Sequence, residues 1–559
     1  MRALLSVLLG IAVAVPTTGQ PIPLRLVTLG TPGAFAVAGG VGLASDGSTV
    51  VRGLSTGPLD LDGDGTADVP AETPFVVRYA PSGAVAFVRA FGGAELEALA
   101  LGPDGGVLVA GTFAAALDLD GDGTADLVAP EDGDGDPFVA ALTADGALRW
   151  ARAGRGAFGV VYGLSATADG GAVAAGYYAR AIDLDGDGAA DLPGLDGTGQ
   201  EGLVVRYGPD GGVQWARRIG GGAAGDESGR AVAVGSGGAV SVCGFFQGAA
   251  DLDGDDAADA TAPTPTAVFV ARYAASGALE WVRPSGAAFC SGLAEGGGAV
   301  YAAGTFDTTS TGDFGGDGQP DLPTFSPTDA FVVRYEADGT LGWARLLAGG
   351  TSPSGVAVDG AGVVVAGSFT GPLRVAGADP VTSRGGRDGF IARLSADGAP
   401  AGVRTFGGAG DDGIGGAALG DGPSALVGSF QGTADLDGDG TADATARGTT
   451  DLFLAVYDEL FASSAVSGPS RTSLRVGPPA PNPVRSAATV PVELAAPGRV
   501  RVEVFDALGR RASVSEYGLG PGRSDLPLDL GRLVSGAYVV RVSTDGGASA
   551  VPVSLTVVR

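Results

Sequence analysis

Short runs in which apolar and polar residues alternate recur along residues 24–460, each closed by a turn signal rich in Gly, Asp and Ser. One stretch reads GVAVD (355–359), GVVVAGSF (362–369), GFIARL (389–394) and a last run around 403–406. The stretch before it repeats the order as YAAGTF, AFVVRYEADG and LGWARLLAGG. Runs of this length with a period of two predict strands, and the ADG and SADG turns between them predict antiparallel neighbours. Four such strands recur seven times, at about 62 residues per copy, which predicts an all-β fold, a seven-bladed β-propeller of four-stranded blades. A solenoid is the competing architecture.

The seventh copy is one strand short. Six copies end in a full fourth strand, but after FLAVYDELFA (453–462) a Ser/Pro/Gly-rich stretch follows at once. An unpaired edge there would leave backbone groups unsatisfied. The N-terminal PLRLVTLGTPG (23–33) matches LGWARLLAGG in length, in its central Arg and in its trailing glycines. Residues 24–29 are therefore expected beside 453–457, completing the seventh blade.

Within the repeat lies a stricter one. DLDGDGTAD begins at Asp60 and again at Asp118, DLDGDGAAD at Asp183, DLDGDDAAD at Asp251 and DLDGDGTAD at Asp435; a damaged copy, DFGGDGQPD, starts at Asp313. In the pattern D-x-D-x-D-G-x-x-D, a glycine turn at position 6 lets alternate aspartates converge, and a carbonyl at 7 and a carboxylate at 9 complete an oxygen cage. Several hard oxygens in flexible geometry are what calcium prefers. The expected ligands are Asp60, Asp62, Asp64 and Asp68; Asp118, Asp120, Asp122 and Asp126; Asp183, Asp185, Asp187 and Asp191; Asp251, Asp253, Asp255 and Asp259; and Asp435, Asp437, Asp439 and Asp443. At the fourth of these Asp256 replaces the turn glycine, and in the damaged copy Gly315 removes the second ligand. Solvated acidic turns would not need one spacing in five copies, and four like charges crowd each loop unless a cation compensates. An EF-hand would carry Glu at position 12, where the first copy has Ala71, and would lie between helices. The spacing is instead similar to the loops of the FG-GAP propeller repeats of integrin α subunits, which implies one structural calcium per loop between strands of a blade.

Segments such as VAVDGAGVVVAGSF, DAFVVRYEADGTLGWARLLAGG and DGFIARLSADGAPAGVRTFGG resemble the bacterial β-propeller repeats known as SBBP, found in exported and surface proteins. Trp150, Trp215, Trp281 and Trp343 occupy one repeat position, opening the fourth strand. Equivalent positions in successive blades are expected to pack against their neighbours; a carbohydrate platform is the alternative.

Composition removes whole classes of chemistry. Glycine makes up 101 of 559 residues, about 18% against an average near 7%, as many tight turns require. There is no histidine and no lysine, so His-based triads, His-ligated zinc and Walker-type nucleotide binding are excluded. A net charge of −29 argues against nucleic acid. Residues 1–19, within MRALLSVLLGIAVAVPTTGQ, read as a signal peptide with Arg2 ahead of a short apolar core, and no later segment reads as a membrane span. Cys243 and Cys290 are the only cysteines; export would permit one bridge, and two buried thiols are the alternative.

The repeat region is expected to span 20–462 and a linker 463–479. Residues 480–559 then carry short alternating strands, VRVEVFD, LPLDL and AYVVRVS, suited to a small Ig-like β-sandwich. PNPV (481–484), VEVFDALGRR (502–511) and LDLGRLVSGAYVVRV (528–542) resemble the type IX secretion sorting domain. That resemblance implies passage through the periplasm, with the type IX machinery as partner, and a secreted or cell-surface destination.

Together these readings predict a monomeric, calcium-stabilised, non-enzymatic binding or adhesion scaffold for a glycan or protein ligand. The alternative is a propeller enzyme. ALTADGALRW (141–150) faintly resembles the tryptophan motif of quinoprotein oxidoreductases, but seven blades without a vicinal Cys pair fit that family poorly. A carbohydrate-active hydrolase or lyase would need a carboxylate pair outside the repeated loops, and none stands out.

Overall fold

The computed structural model describes residues 25–461 and 474–558, apart from 130–134, 195–198, 221–224, 288, 307–309, 311, 323–328, 377–379, 421–422, 439 and 459 in the first span. In the second span 478, 486, 495–497, 507–510, 521, 529, 531–532 and 545–552 are excepted. The expected signal peptide, Leu24, Asp439 and linker residues 463–473 lie outside the described residues. The chain divides into two compact units, residues 1–462 and 463–559.

Among its described residues the first unit contains strands and turns but no helix, and forms seven antiparallel four-stranded meanders, the fifth of them extended by the two-residue strand Arg374–Val375. Sheet one comprises Ala36–Leu43, Thr49–Ser55, Thr73–Tyr79 and Val85–Ala90. Sheets two to six follow in chain order over 94–153, 158–219, 228–285, 289–348 and 351–406. Sheet seven takes Gly413–Ala418, Ser424–Phe430 and Asp451–Tyr457 from the end of the unit, and Arg25–Leu29 from its beginning. The first strand of each sheet packs against the first strand of the next, and Gly413–Ala418 packs against Ala36–Leu43. This is the architecture of a β-propeller.

Every second strand reads as a near-continuous apolar run because both its faces are covered by neighbouring sheets; Val107–Phe113 and Gly362–Phe369 are buried almost throughout. Successive sheets interlock through one repeated contact. Trp150, Trp215, Trp281 and Trp343 are all buried, and each indole lies under the tight turn of the following sheet. A Cβ at Gly211 would come within 2.8 Å of Trp150, and one at Gly277 within 2.7 Å of Trp215. Both glycines have positive φ, so turn geometry and close packing both require glycine there. The indole N–H groups of Trp215, Trp281 and Trp343 donate to the carbonyls of Ala275, Ala337 and Ala396 in the same turns, at 2.9–3.0 Å. The tryptophan position is therefore a joint between sheets.

The register of the N-terminal strand corrects the sequence alignment. Arg25 pairs with Val456 and Leu29 with Leu452. Trp343 pairs with Arg334, the residue corresponding to Val456, whereas Arg345 pairs with Val332. Arg25 thus occupies the tryptophan position, two residues from where the match to Arg345 would set it. Its guanidinium performs the tryptophan's task by donating to the Ala80 carbonyl at 2.6 Å.

Each of the seven first strands also carries a β-bulge. The pairing skips Gly39, Glu97, Tyr162, Arg230, Ser291, Ser354 and Gly415 in turn. The second-strand residue next to each bulge is glycine, for example Gly111 and Gly244, because a bulged strand brings its carbonyl close. A Cβ at either would sit 1.9 Å from the Glu95 or Ser228 carbonyl oxygen.

Cys243, in the second strand of sheet four, is disulfide-bonded to Cys290, in the first strand of sheet five. Among the described residues no helix is long and apolar enough to cross a membrane.

The second unit has two antiparallel sheets. Leu474–Val476, inside the expected linker, pairs with Thr489–Leu494, which pairs with Gly522–Pro527. The other sheet orders Arg511–Leu519, Gly498–Asp506, Gly536–Thr544 and Val553–Val557. Val490, Val492 and Leu526 share one core with Val502, Val504, Val540 and Val542. Asn482, of the PNPV motif, accepts the Thr556 N–H at 2.8 Å. Glu503, of VEVFDALGRR, is buried within reach of Arg541 (2.6 Å) and Arg511 (3.0 Å).

Candidate metal centres

Each aspartate loop is the connection between the second and third strands of its sheet. The residue after the first aspartate anchors it: Leu61, Leu119, Leu184, Leu252, Phe314 and Leu436 are buried against the sheet. In sheets four and five the tyrosine ending the third strand donates to the carbonyl of this anchor, from Tyr273 to Leu252 (3.0 Å) and from Tyr335 to Phe314 (3.2 Å).

With the anchor inside, the aspartates organise the loop through its backbone, Asp183, Asp251, Asp435 and Asp437 from buried positions and the others from more open ones. Asp60 Oδ1 accepts the Gly63 N–H at 2.7 Å and Oδ2 the Gly65 N–H at 2.9 Å. Asp62 accepts from Asp64 (3.0 Å), Asp64 from Thr66 (2.7 Å), and Asp68 reaches back to the Leu61 N–H (2.7 Å). The second and third loops repeat this set from Asp118 and Asp183. In the fourth, Asp256 adopts the left-handed φ of 67° and still donates its N–H to Asp251 at 2.9 Å. The loop keeps its shape without the turn glycine, at the backbone cost a non-glycine residue bears there.

The carboxylates converge as sets of three with ligand oxygens within 4.8 Å of one another: Asp60, Asp62 and Asp68; Asp118, Asp120 and Asp122; Asp183, Asp185 and Asp191; Asp251, Asp253 and Asp255; Asp435, Asp437 and Asp443. Asp64, Asp126, Asp187 and Asp259 are outside these sets, each accepting a backbone N–H of its own loop. Around Asp313 no such set forms among the described residues; there Gly315 leaves only its N–H, which donates to Asp321. Hydrogen bonding by the Gly65 N–H holds the Asp60 carboxyl below the usual range, whereas burial, reinforced by neighbouring carboxylates, raises those of Asp191 and Asp259. An all-carboxylate set of hard oxygens, preorganised by backbone donors, can hold a metal ion of the oxygen-preferring kind.

The seventh loop differs in charge. Sheet six lacks the repeated aspartate motif in the corresponding connection and sends Arg384 across instead, its Nη1 2.6 Å from Asp435 Oδ2. Arg404 donates to the Asp437 carbonyl at 2.7 Å. One side of that carboxylate cluster already faces a cation.

No family model matches the chain, and no curated protein matches it. Solved structures do share features with it. The Dos1 propeller is 7% identical over 78% of this chain and 96% of that one, with a TM-score of 0.37. A fungal alcohol oxidase in complex with copper is 13% identical over 97% and 100%, with a TM-score of 0.33. The periplasmic gluconolactonase of Pseudomonas aeruginosa is 15% identical over 89% and 99%, with a TM-score of 0.25. At such scores these likenesses assign no activity to this chain.

Two sets of residues escaped the sequence reading. Arg384 carried no signal, since its contact spans two sheets. The bulged residues did leave one, because the glycine of VAGTF, VCGFF and VAGSF recurs in every second strand, and a glycine inside a strand marks a bulge or a close approach.

Proposed function

We propose that this chain is an exported, calcium-stabilised seven-bladed propeller that acts as a non-enzymatic binding or adhesion scaffold at the outer cell surface or beyond. In this reading each of the seven meanders is one blade, and the N-terminal strand fastens the ring. The second unit is an Ig-like sandwich that addresses the protein to type IX secretion machinery; its two sheets around one core, with PNPV tied to the last strand, support that role. The Cys243–Cys290 bridge favours an oxidising compartment.

The observation carrying the proposal is the convergence of three carboxylates at the same connection of five sheets. Regularity of that kind serves the fold, since a reaction needs one asymmetric site and not five copies. Calcium at these loops would neutralise acidic turns and rigidify the face that bears them, leaving the connections to display a binding surface.

The test is to screen the mature chain against glycan and matrix-protein arrays in calcium and in chelator, alongside elemental analysis of the purified protein. Calcium-dependent capture with bound calcium is expected. Protein that holds no calcium, or that turns over a substrate on the array, would overturn the reading.

A further inference from the structure

Positions that serve the fold are repeated in this chain: the buried tryptophans, the aspartate loops and the glycines beside the bulges. The bulged position is where the copies diverge. Sheets two to six place Glu97, Tyr162, Arg230, Ser291 and Ser354 there, four residue types at five positions, while sheets one and seven place glycine. All seven first strands border a single cavity of about 240 Å³, and these residues line it. A bulge re-aims a side chain and is over-represented beside binding and active sites. Seven bulges aimed at one cavity, with an acid, a base and an aromatic each placed once among them, mark a site.

The chemistry is uneven around the ring. Arg52, from the second strand of sheet one, fills the space beside Gly39 and donates to the Gly39 carbonyl at 2.9 Å. Its guanidinium is thereby spent on backbone. Arg230 is not: among the described residues it has no hydrogen-bond or ion-pair partner, and its Nε is buried without one. It is held instead by aromatic faces, 4.1 Å from the Tyr162 ring centroid and 5.3 Å from that of Phe245. Tyr177 packs on Tyr162, and the exposed ring of Phe289 on Phe245. Glu97 lies within electrostatic reach of both arginines; on the opposite arc Ser291 is exposed, and the Ser354 hydroxyl donates to the Ile414 carbonyl at 2.6 Å, which leaves its oxygen as an acceptor.

A guanidinium oriented by two aromatic faces, with no hydrogen-bond or ion-pair partner among the described residues, keeps its donors for an anion from outside. Its planar fork matches a carboxylate. Glu97 and both serine oxygens offer acceptors for hydroxyls, Ser291 offers a donor as well, and the rings offer a surface for an apolar face. The volume falls below the roughly 300–1,000 Å³ of pockets for drug-sized ligands, which limits the occupant to one ring. We propose that this cavity binds a hexuronate, free or as the terminal residue of an acidic polysaccharide, with its carboxylate on Arg230 and its hydroxyls on Glu97, Ser291 and Ser354. This rests on the binding-scaffold reading above and gives it a ligand class.

Calorimetric titration of the full chain with galacturonate, glucuronate, an oligogalacturonate and glucose tests it. One uronate site is expected, with glucose at least about tenfold weaker; comparing monomer with oligomer separates the free sugar from the chain end. Arg230→Gln should weaken uronate binding by about tenfold or more, as loss of a charged hydrogen bond does, with only a small fall in melting temperature from the lost contacts to the Tyr162 and Phe245 rings. If that variant does not fold, Ser291→Trp, at an exposed position, should abolish binding by filling the cavity. Absence of uronate binding at about 10 mM, equal binding of glucose, or wild-type affinity in both variants overturns the proposal. Array capture that survives both variants would overturn this site and leave the scaffold reading standing, whereas Arg230-dependent uronate binding by calcium-free protein would do the reverse for the calcium reading.

Discussion

Arg25 stands opposite Val456, so the first described strand of the chain and the last strand of its first unit are hydrogen-bonded neighbours. Residues more than 400 positions apart complete one sheet. Such a joint makes the seventh sheet depend on both ends of the unit and favours unfolding as one event over fraying from one end.

Deleting residues 21–30 should therefore cost far more than an equal deletion within 463–472. Leu29 is buried in the core shared with sheet one, and its removal with the strand would also expose the edge of Asp451–Tyr457. A loss of about 3 kcal/mol or more is expected from the apolar burial and the unpaired backbone groups together. Denaturant titration of the two deletions measures it; equal losses would show that the strand closes nothing.

The aspartate loops should respond to calcium one at a time. At tenfold excess over its dissociation constant, an ion stabilises its folded site by about 1.4 kcal/mol. Asp120→Ala should remove one such increment and leave the others, read as a smaller difference in melting between calcium and chelator at fixed ionic strength. The seventh loop should be the weakest of the five, because Arg384 already lies against Asp435. Arg384→Gln should strengthen it. Identical melting with and without calcium would refute the whole set.

Breaking the bridge should loosen the junction of sheets four and five. Cys243 and Cys290 are 47 residues apart in sequence, and loop-closure entropy assigns such a crosslink about 4 kcal/mol at most. The double Cys→Ser variant should lose roughly 2–4 kcal/mol in denaturant, and reduction of the wild type should reproduce the loss. No effect of reductant would mean that the cysteines are not joined.

Glu227 should make stability fall as pH rises. It is fully buried, and burial, reinforced by the charge of Glu201, pushes its carboxyl up to about 8. Asp226 adds to the upward push, and the Gln247 backbone N–H and Arg218 oppose it. The folded chain holds this proton more tightly than the unfolded one. Its contribution is then complete below about pH 4.5 and is lost as pH rises through 8. Glu227→Gln should flatten the decline in melting temperature between about pH 5 and 9. An unchanged profile would place the titration elsewhere.

The repeat made the fold unusually legible. Strand length, alternation and turn residues are local properties, and a copy every 60 or so residues let each strand be checked against six others. The tight turns, the four-strand meander, the joining of 25–29 to 452–456 and the convergence of most loop aspartates all follow from residues near one another in sequence, or from counting strands. The exact register of Arg25 did not follow, because length and a matching arginine do not fix pairing when side chains repeat every second residue.

What the sequence determined by itself was thus the repeating part: which segments are strands, where they turn and which carboxylates share a loop. Only the tertiary structure decided what happens where copies meet. It put Arg384 of one sheet on Asp435 of the next, bonded Cys243 to Cys290, and set Glu97, Tyr162, Arg230, Ser291 and Ser354 around one cavity. The physical reason is that local chemistry acts over a few residues along the chain, whereas these contacts join residues that only the packing of separate sheets brings within reach.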